Sequence, residues 1–190
     1  MSISSLLVKA AVGLLLVAAP HAGAHELQDN RATLVLRDGT HLSLTLYIAY
    51  PEALHQVLAP QRPFMAFLLV YSSMKPEELQ RALLRAQARF QSATRVYAAP
   101  GSEVALTNWI WPDAKQVQTI LQQRVMQAMV DPAGHSHEAP VEVRADALAR
   151  QEINAVQVQF PEEFQKVLVV AFRPSQLWVE GKALSPAIRF

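Results

Sequence analysis

The sequence predicts a mainly β, α+β fold: a two-sheet β-sandwich with a helical insertion in the middle of the chain, at about residues 51–130. Three observations lead there. Short segments with period-two alternation occupy both ends of the chain, two proline-opened amphipathic stretches occupy the middle, and no regular strand–helix–strand rhythm links them.

Residues 1–24 read as a secretory signal peptide. A short polar start ends at Lys9, an apolar run follows from Ala10 to Ala19, and Ala22 and Ala24 stand at the positions a signal peptidase favours. The run falls short of the roughly 18 apolar residues of a membrane-spanning helix, so cleavage after Ala24 is expected, with no membrane span after it. His25 then becomes the first residue, and residues 25–190 form a single domain.

From Ala32 to Arg37 and from His41 to Ile48, apolar and polar residues alternate on either side of Asp38-Gly39, the signature of a hairpin. Pro51, Pro60, Pro63 and Pro76 punctuate the next section. Phe64–Tyr71 is apolar throughout, which fits either a buried strand or a core helix. Pro76 opens a helix with Glu77 and Glu78 in its first turn and Leu79, Leu83, Ala86 and Phe90 along one side. Arg81, Arg85 and Arg89 lie on another side, as a solvated face in which Glu77 can pair with Arg81.

Thr94–Ala98 and Glu103–Trp111 read as strands around the turn Ala99–Ser102, and Trp109 and Trp111 are expected in the core or as a lid over it. Pro112-Asp113 starts a helix running to about Val130, with Met126 and Met129 expected to pack rather than bind metal. A loop containing His135 and His137 follows. Strands are then predicted at Val141–Ala147, Ile153–Phe160, Lys166–Phe172 and Gln176–Glu180. The continuous run Val167–Phe172 reads as a central strand buried on both faces. Strand length and turn spacing make the sandwich immunoglobulin-like.

Composition narrows the function. The chain has 17 basic and 16 acidic residues; residues 1–24 contain one Lys and no acid, so the mature protein is formally neutral. Without a net field, nucleic acid is not an expected partner. The absence of Cys excludes a thiol nucleophile or thiolate metal site. No Gly-x-Ser-x-Gly elbow or phosphate-binding glycine loop occurs. The pairs Glu77-Glu78 and Glu162-Glu163 sit at element starts, where carboxylates stabilise the local structure. The chain therefore reads as a non-enzyme.

Histidines carry the remaining chemistry. A mature N-terminal His25 offers an α-amine and Nδ1 that close a six-membered chelate ring, and these groups titrate near pH 8 and about 6.5. His135 and His137 can project to one side of an extended backbone, and either supplies a third nitrogen. The expected metal site is thus His25, His135 and His137, holding copper(II) or zinc(II). His41 heads a strand and His55 lies in a Pro-flanked helical turn, so both are expected to be structural.

Ala24-His25-Glu26-Leu27 followed by alternating strands, together with the Val169–Trp178 stretch Val-Val-Ala-Phe-Arg-Pro-x-x-x-Trp, resembles exported proteins whose mature form begins with His. In that respect it is similar to the periplasmic N-terminal domain of hydrogenase and urease accessory permeases, and the starting His is shared with periplasmic copper-carrier sandwiches. The likeness covers the first strands and roughly the last 25 residues. It implies a periplasmic binding or accessory protein that handles metal through His25. The competing expectation is a metal-independent interaction module docking an envelope or inner-membrane protein.

Overall fold

The structure, a computed structural model, describes residues 30–99, 101–130, 140–175, 178–182 and 184–185. The predicted hairpin is its first feature. Strand β1 (Asn30–Arg37) turns into β2 (His41–Ile48), with Arg37 opposite His41. Asp38 and Gly39 both adopt positive φ, 49° and 72°, and only Gly does so without a Cβ penalty. The turn is clasped from behind: Ile153 N–H donates to Gly39 O at 2.7 Å and Ala149 N–H to Thr40 O at 2.9 Å.

Four helices follow, interrupted by strands: α1 (Tyr50–Leu58), α2 (Phe64–Ser72), α3 (Pro76–Ala93) and, after β3 (Arg95–Ala98), β4 (Ser102–Val104) and β5 (Leu106–Ile110), α4 (Ala114–Val130). The chain then forms β6 (Val141–Leu148), β7 (Val156–Gln159), a 3-10 turn (Glu162–Phe164) and β8 (Val167–Phe172). The fold is therefore α+β, with two sheets and helices in the middle of the chain. One sheet has five strands in the order β5-β6-β2-β1-β8, the other three in the order β4-β3-β7. In the large sheet β8 runs parallel to β1, whereas the other pairings are antiparallel.

Alternation decides which face of the large sheet is covered. Leu42, Leu44, Leu46 and Ile48 on β2 share a side with Ala32 and Leu34 on β1 and with Val143, Ala145 and Ala147 on β6, and all are buried. Against them pack Tyr50 and Leu54 of α1, Phe67 of α2, Leu79, Leu83, Ala86 and Phe90 of α3, Val117 and Leu121 of α4, and Val96 and Val104 of the small sheet. Phe90 is the aromatic hub, with ring centroids 5.1 Å from Phe164, 6.0 Å from Trp111 and 6.4 Å from Tyr50. Tyr50 is fully buried beside Gln87 with its hydroxyl outside hydrogen-bond geometry, and burial raises its pKa. Among the described residues no element packs over the opposite sheet face, which carries Thr33, Ser43, Thr45, Tyr47, Arg144 and Asp146.

Several sequence expectations are corrected. Phe64–Tyr71 is helical, resolving the alternative left by its apolar run. Glu103–Trp111 is two strands in different sheets. Val104 pairs with Val96 in the small sheet, while Leu106 lies opposite Ala147 in the large one, so the chain changes sheets at Ala105. Of Ile153–Phe160, only Val156–Gln159 is a strand. Trp178–Glu180 forms none, and residues 176–177 lie outside the described ones.

Val167–Phe172 is an edge strand, not a central one: every residue after Val167 in it is exposed. The two sides of α3 are as predicted, with Leu79, Leu83, Ala86 and Phe90 buried and the three arginines on the solvent side, although the Glu77 carboxylate forms no ion pair with Arg81. Arg81 donates to the Glu77 carbonyl, while Arg89 contacts the nearly buried Glu163 carboxylate as an ion pair without hydrogen-bond alignment. Trp109 and Trp111 stack at 5.6 Å and pack against the core, as expected.

Phe90→Ala should cost about 3–5 kcal/mol, because one ring joins α3, α1, the 3-10 turn and the end of β5. Denaturant unfolding of the two proteins measures it, and a loss under about 1 kcal/mol would reject the hub role.

Candidate metal centre

His25 lies before the first described residue, and His135 and His137 fall within 131–139, so the three expected ligands are outside the described residues. The strands that follow them in the chain are described. β1 begins at Asn30 and β6 at Val141, and both flank the end of β2. Val141 lies opposite Ile48 on one side, while on the other Arg31 lies opposite Tyr47, which places Asn30 beside Ile48. At about 4.8 Å between strands, the two entry points are separated by roughly 10 Å. His25 stands five residues before Asn30 and His137 four before Val141. Extended chain covers about 3.3–3.6 Å per residue, so these segments have the reach to converge from one end of the sheet.

Asn30 fixes that end. Its side-chain Nδ2 donates to Phe164 O at 2.6 Å, and its Oδ1 accepts from Ala49 N–H at 2.7 Å. One amide therefore ties the start of β1 to the residue capping α1 and to the 3-10 turn before β8. Only one orientation of the amide satisfies both bonds, because one partner is a donor and the other an acceptor.

Several charges around this end have partners within the fold. Arg31 stacks on the Tyr47 ring at 4.5 Å, Arg144 pairs with Glu142, and Arg124 pairs with Glu52 at 3.0 Å. Next to Pro140 an open cleft of about 640 Å³ lies between β5, β6 and α4, lined by Ile110, Trp111, Ile120 and Val141 among others. The Trp111 indole Nε1 is buried, with no hydrogen-bond partner among the described residues.

His41 and His55 both make contacts within the fold. His41 sits at the opposite end of β2, about 24 Å away at strand rise, with Nε2 3.5 Å from Asp146, which also accepts a 3.0 Å bond from Ser43. His55 Nε2 lies 2.7 Å from Arg62 O, and its ring packs against Phe64 and Phe67 at 5.3 and 5.2 Å. Among the described residues no group of three or more His, Asp or Glu is arranged to hold a metal ion.

Met126 and Met129, expected to pack, are each 63 % exposed at the end of α4, because the helix contacts the core mainly through Val117 and Leu121 in its first half. Sequence reasoning gave no weight to Asn30. The one signal was a residue poorly suited to strands placed at the start of a clear strand.

Removing the bridge tests it. Asn30→Ala should destabilise the fold by about 1–3 kcal/mol, since two backbone groups lose their partner. Asn30→Asp should be intermediate, keeping the acceptor for Ala49 N–H while losing the donor to Phe164 O. Equal stabilities of the three proteins in urea would dismiss the bridge. Comparison with family models, with curated proteins and with solved structures finds no match to this chain.

Proposed function

We propose that this chain is an exported, non-enzymatic periplasmic binding or accessory protein that holds a divalent transition metal, copper(II) or zinc(II), through the amine and imidazole of a mature N-terminal His25, with His135 or His137 completing the set. The supporting observation is the shared end of the sheet. The segment leading to His25 and the one leading to the His135–His137 loop enter adjacent to the same strand, roughly 10 Å apart. The ligand types suit these metals, and the resemblance to His-initiated exported proteins and accessory-permease domains runs the same way. The immunoglobulin-like sandwich is the architectural part of this reading. It is supported by the two sheets and the strand-first, strand-last order, and it has to accommodate a helical layer and a parallel β1–β8 pair.

A second reading has its own observation. A metal-independent module docking an envelope or inner-membrane protein is favoured by the apolar exposure of β8 and of Trp178 and Leu184 beyond it. The arginine ridge of α3 adds less, because Arg89 is already engaged by Glu163. Among the described residues no helix is long and apolar enough to cross a membrane.

Mass spectrometry of the exported protein should find His25 as its first residue; any other terminus removes the chelate. Copper(II) titration should then show affinity falling by about tenfold or more in His25→Ala and in the His135→Ala, His137→Ala double variant. Binding should also weaken as pH drops below about 6.5, where the imidazoles protonate. Equal affinity in wild type and His25→Ala rejects the role, whereas a partner that co-purifies equally with and without chelator supports the docking module.

A further inference from the structure

The sheets have four edges among the described strands, and three are blunted. β4 has three residues and β7 has four, too short to template a long pairing. β5 breaks its register between Thr107 and Ile110, with Asn108 at φ 54°, so its outer edge is irregular. β8 has none of these devices. It is six residues of regular strand, Val-Leu-Val-Val-Ala-Phe, without charge, proline or bulge, and no described strand pairs with its outer edge. Leu168, Val169, Val170 and Phe172 are 39–51 % exposed.

We infer that β8 is the seam of a homodimer, in which two copies join edge to edge, antiparallel, about a two-fold axis at Val170. The choice of a second copy rests on charge and register. A two-fold sets every residue of the seam against its own strand, so a charged strand would repel itself and an uncharged one does not. Centred on Val170, the pairing puts Val170 opposite itself, Leu168 opposite Phe172 and Val169 opposite Ala171, and so matches side chains of one face with side chains of the same face. The flanking charges do not meet their like: Lys166 falls opposite Pro174, and Arg173, which falls opposite Val167, is neutralised within its own chain by Glu152 at 3.0 Å.

Area sets what else the seam has to bury. A stable interface takes roughly 800 Å² per partner, more than a six-residue edge supplies. Beyond Arg173-Pro174, Trp178 and Leu184 are essentially fully exposed, and the indole alone offers about 250 Å².

Sedimentation of the signal-free protein should give twice the protomer mass, unchanged by chelator. Val170→Lys sets two ammonium groups against each other at the axis and should yield a monomer with wild-type circular dichroism and melting temperature. Val170→Cys, in a chain that has no other Cys, should cross-link to a covalent dimer on mild oxidation, since directly opposed strand residues lie within disulfide reach. That variant keeps the test open should the lysine protein fail to fold. A monomeric wild type at about 100 μM, a dimer that survives Val170→Lys, a dimer that chelator dissolves, or a dimer without cross-linking at position 170 would each overturn the seam.

Discussion

One side-chain amide holds an end of the large sheet together. Asn30 takes an N–H from Ala49 and gives an N–H to the Phe164 carbonyl, so the beginnings of β1, α1 and β8 share a fixed point. Hydrogen bonding is directional, and a pair of opposed bonds through one planar group sets orientation as well as distance. Without it, β1 would still find β2 through the Leu34–Leu44 and Leu36–Leu42 pairs. Its first residues, however, would fray. The same amide reaches Phe164, whose ring is packed on Phe90. The polar clamp at the sheet end and the aromatic hub of the core are thus two contacts of one short turn.

The unequal faces of the large sheet follow from sequence alternation. β2 places a leucine or isoleucine on every second residue and serine, threonine, histidine or tyrosine between them. Such a strand covers one side only, and four helices close that side through Leu54, Phe67, Leu83, Phe90 and Leu121. The other side makes its own polar lattice, in which His41 and Ser43 converge on Asp146 while Arg31 lies over Tyr47. These side chains are paired with one another, and among the described residues they belong to no group arranged to hold a metal ion. The metal site proposed for His25, His135 and His137 draws on none of these side chains.

How far the sequence reveals this depends on whether a pattern is local. The hairpin was legible because Asp38-Gly39 and the alternation around it act over few residues, and α3 because Leu79, Leu83, Ala86 and Phe90 repeat at helical spacing beside a proline start. β8 was misread for a physical reason: a continuous apolar run satisfies a strand buried on two faces and a strand exposed on both, and only its partners distinguish them. Met126 and Met129 were misplaced because an apolar stripe on a helix says which side is inward, not how far along the helix the core extends. The break at Ala105 was invisible because a change of sheet needs no proline or glycine. The Asn30 bridge spans 134 residues to Phe164, and nothing in a single sequence announces such a pair. His25, His135 and His137 came from chemistry alone; what the fold adds is the common end at which their segments enter.

The two proposals meet in β1, which carries the segment leading to His25 at its start and β8 along its flank. Asn30 lies level with Val167, the first residue of β8. In an antiparallel seam centred on Val170, Val167 of one copy stands opposite Arg173 of the other, so the two Val167 residues are six positions apart along the strand direction, about 20 Å at strand rise. The histidine-bearing ends then point to opposite ends of the joined sheet. A metal shared between copies through both N-termini would have to bridge that length in addition to the width of two β8 strands, whereas His25 and the His135 loop of one copy need to close only about 10 Å. Taken together, the two proposals favour one complete site per protomer over a bridging ion, so that metal loading and dimer formation would be separable.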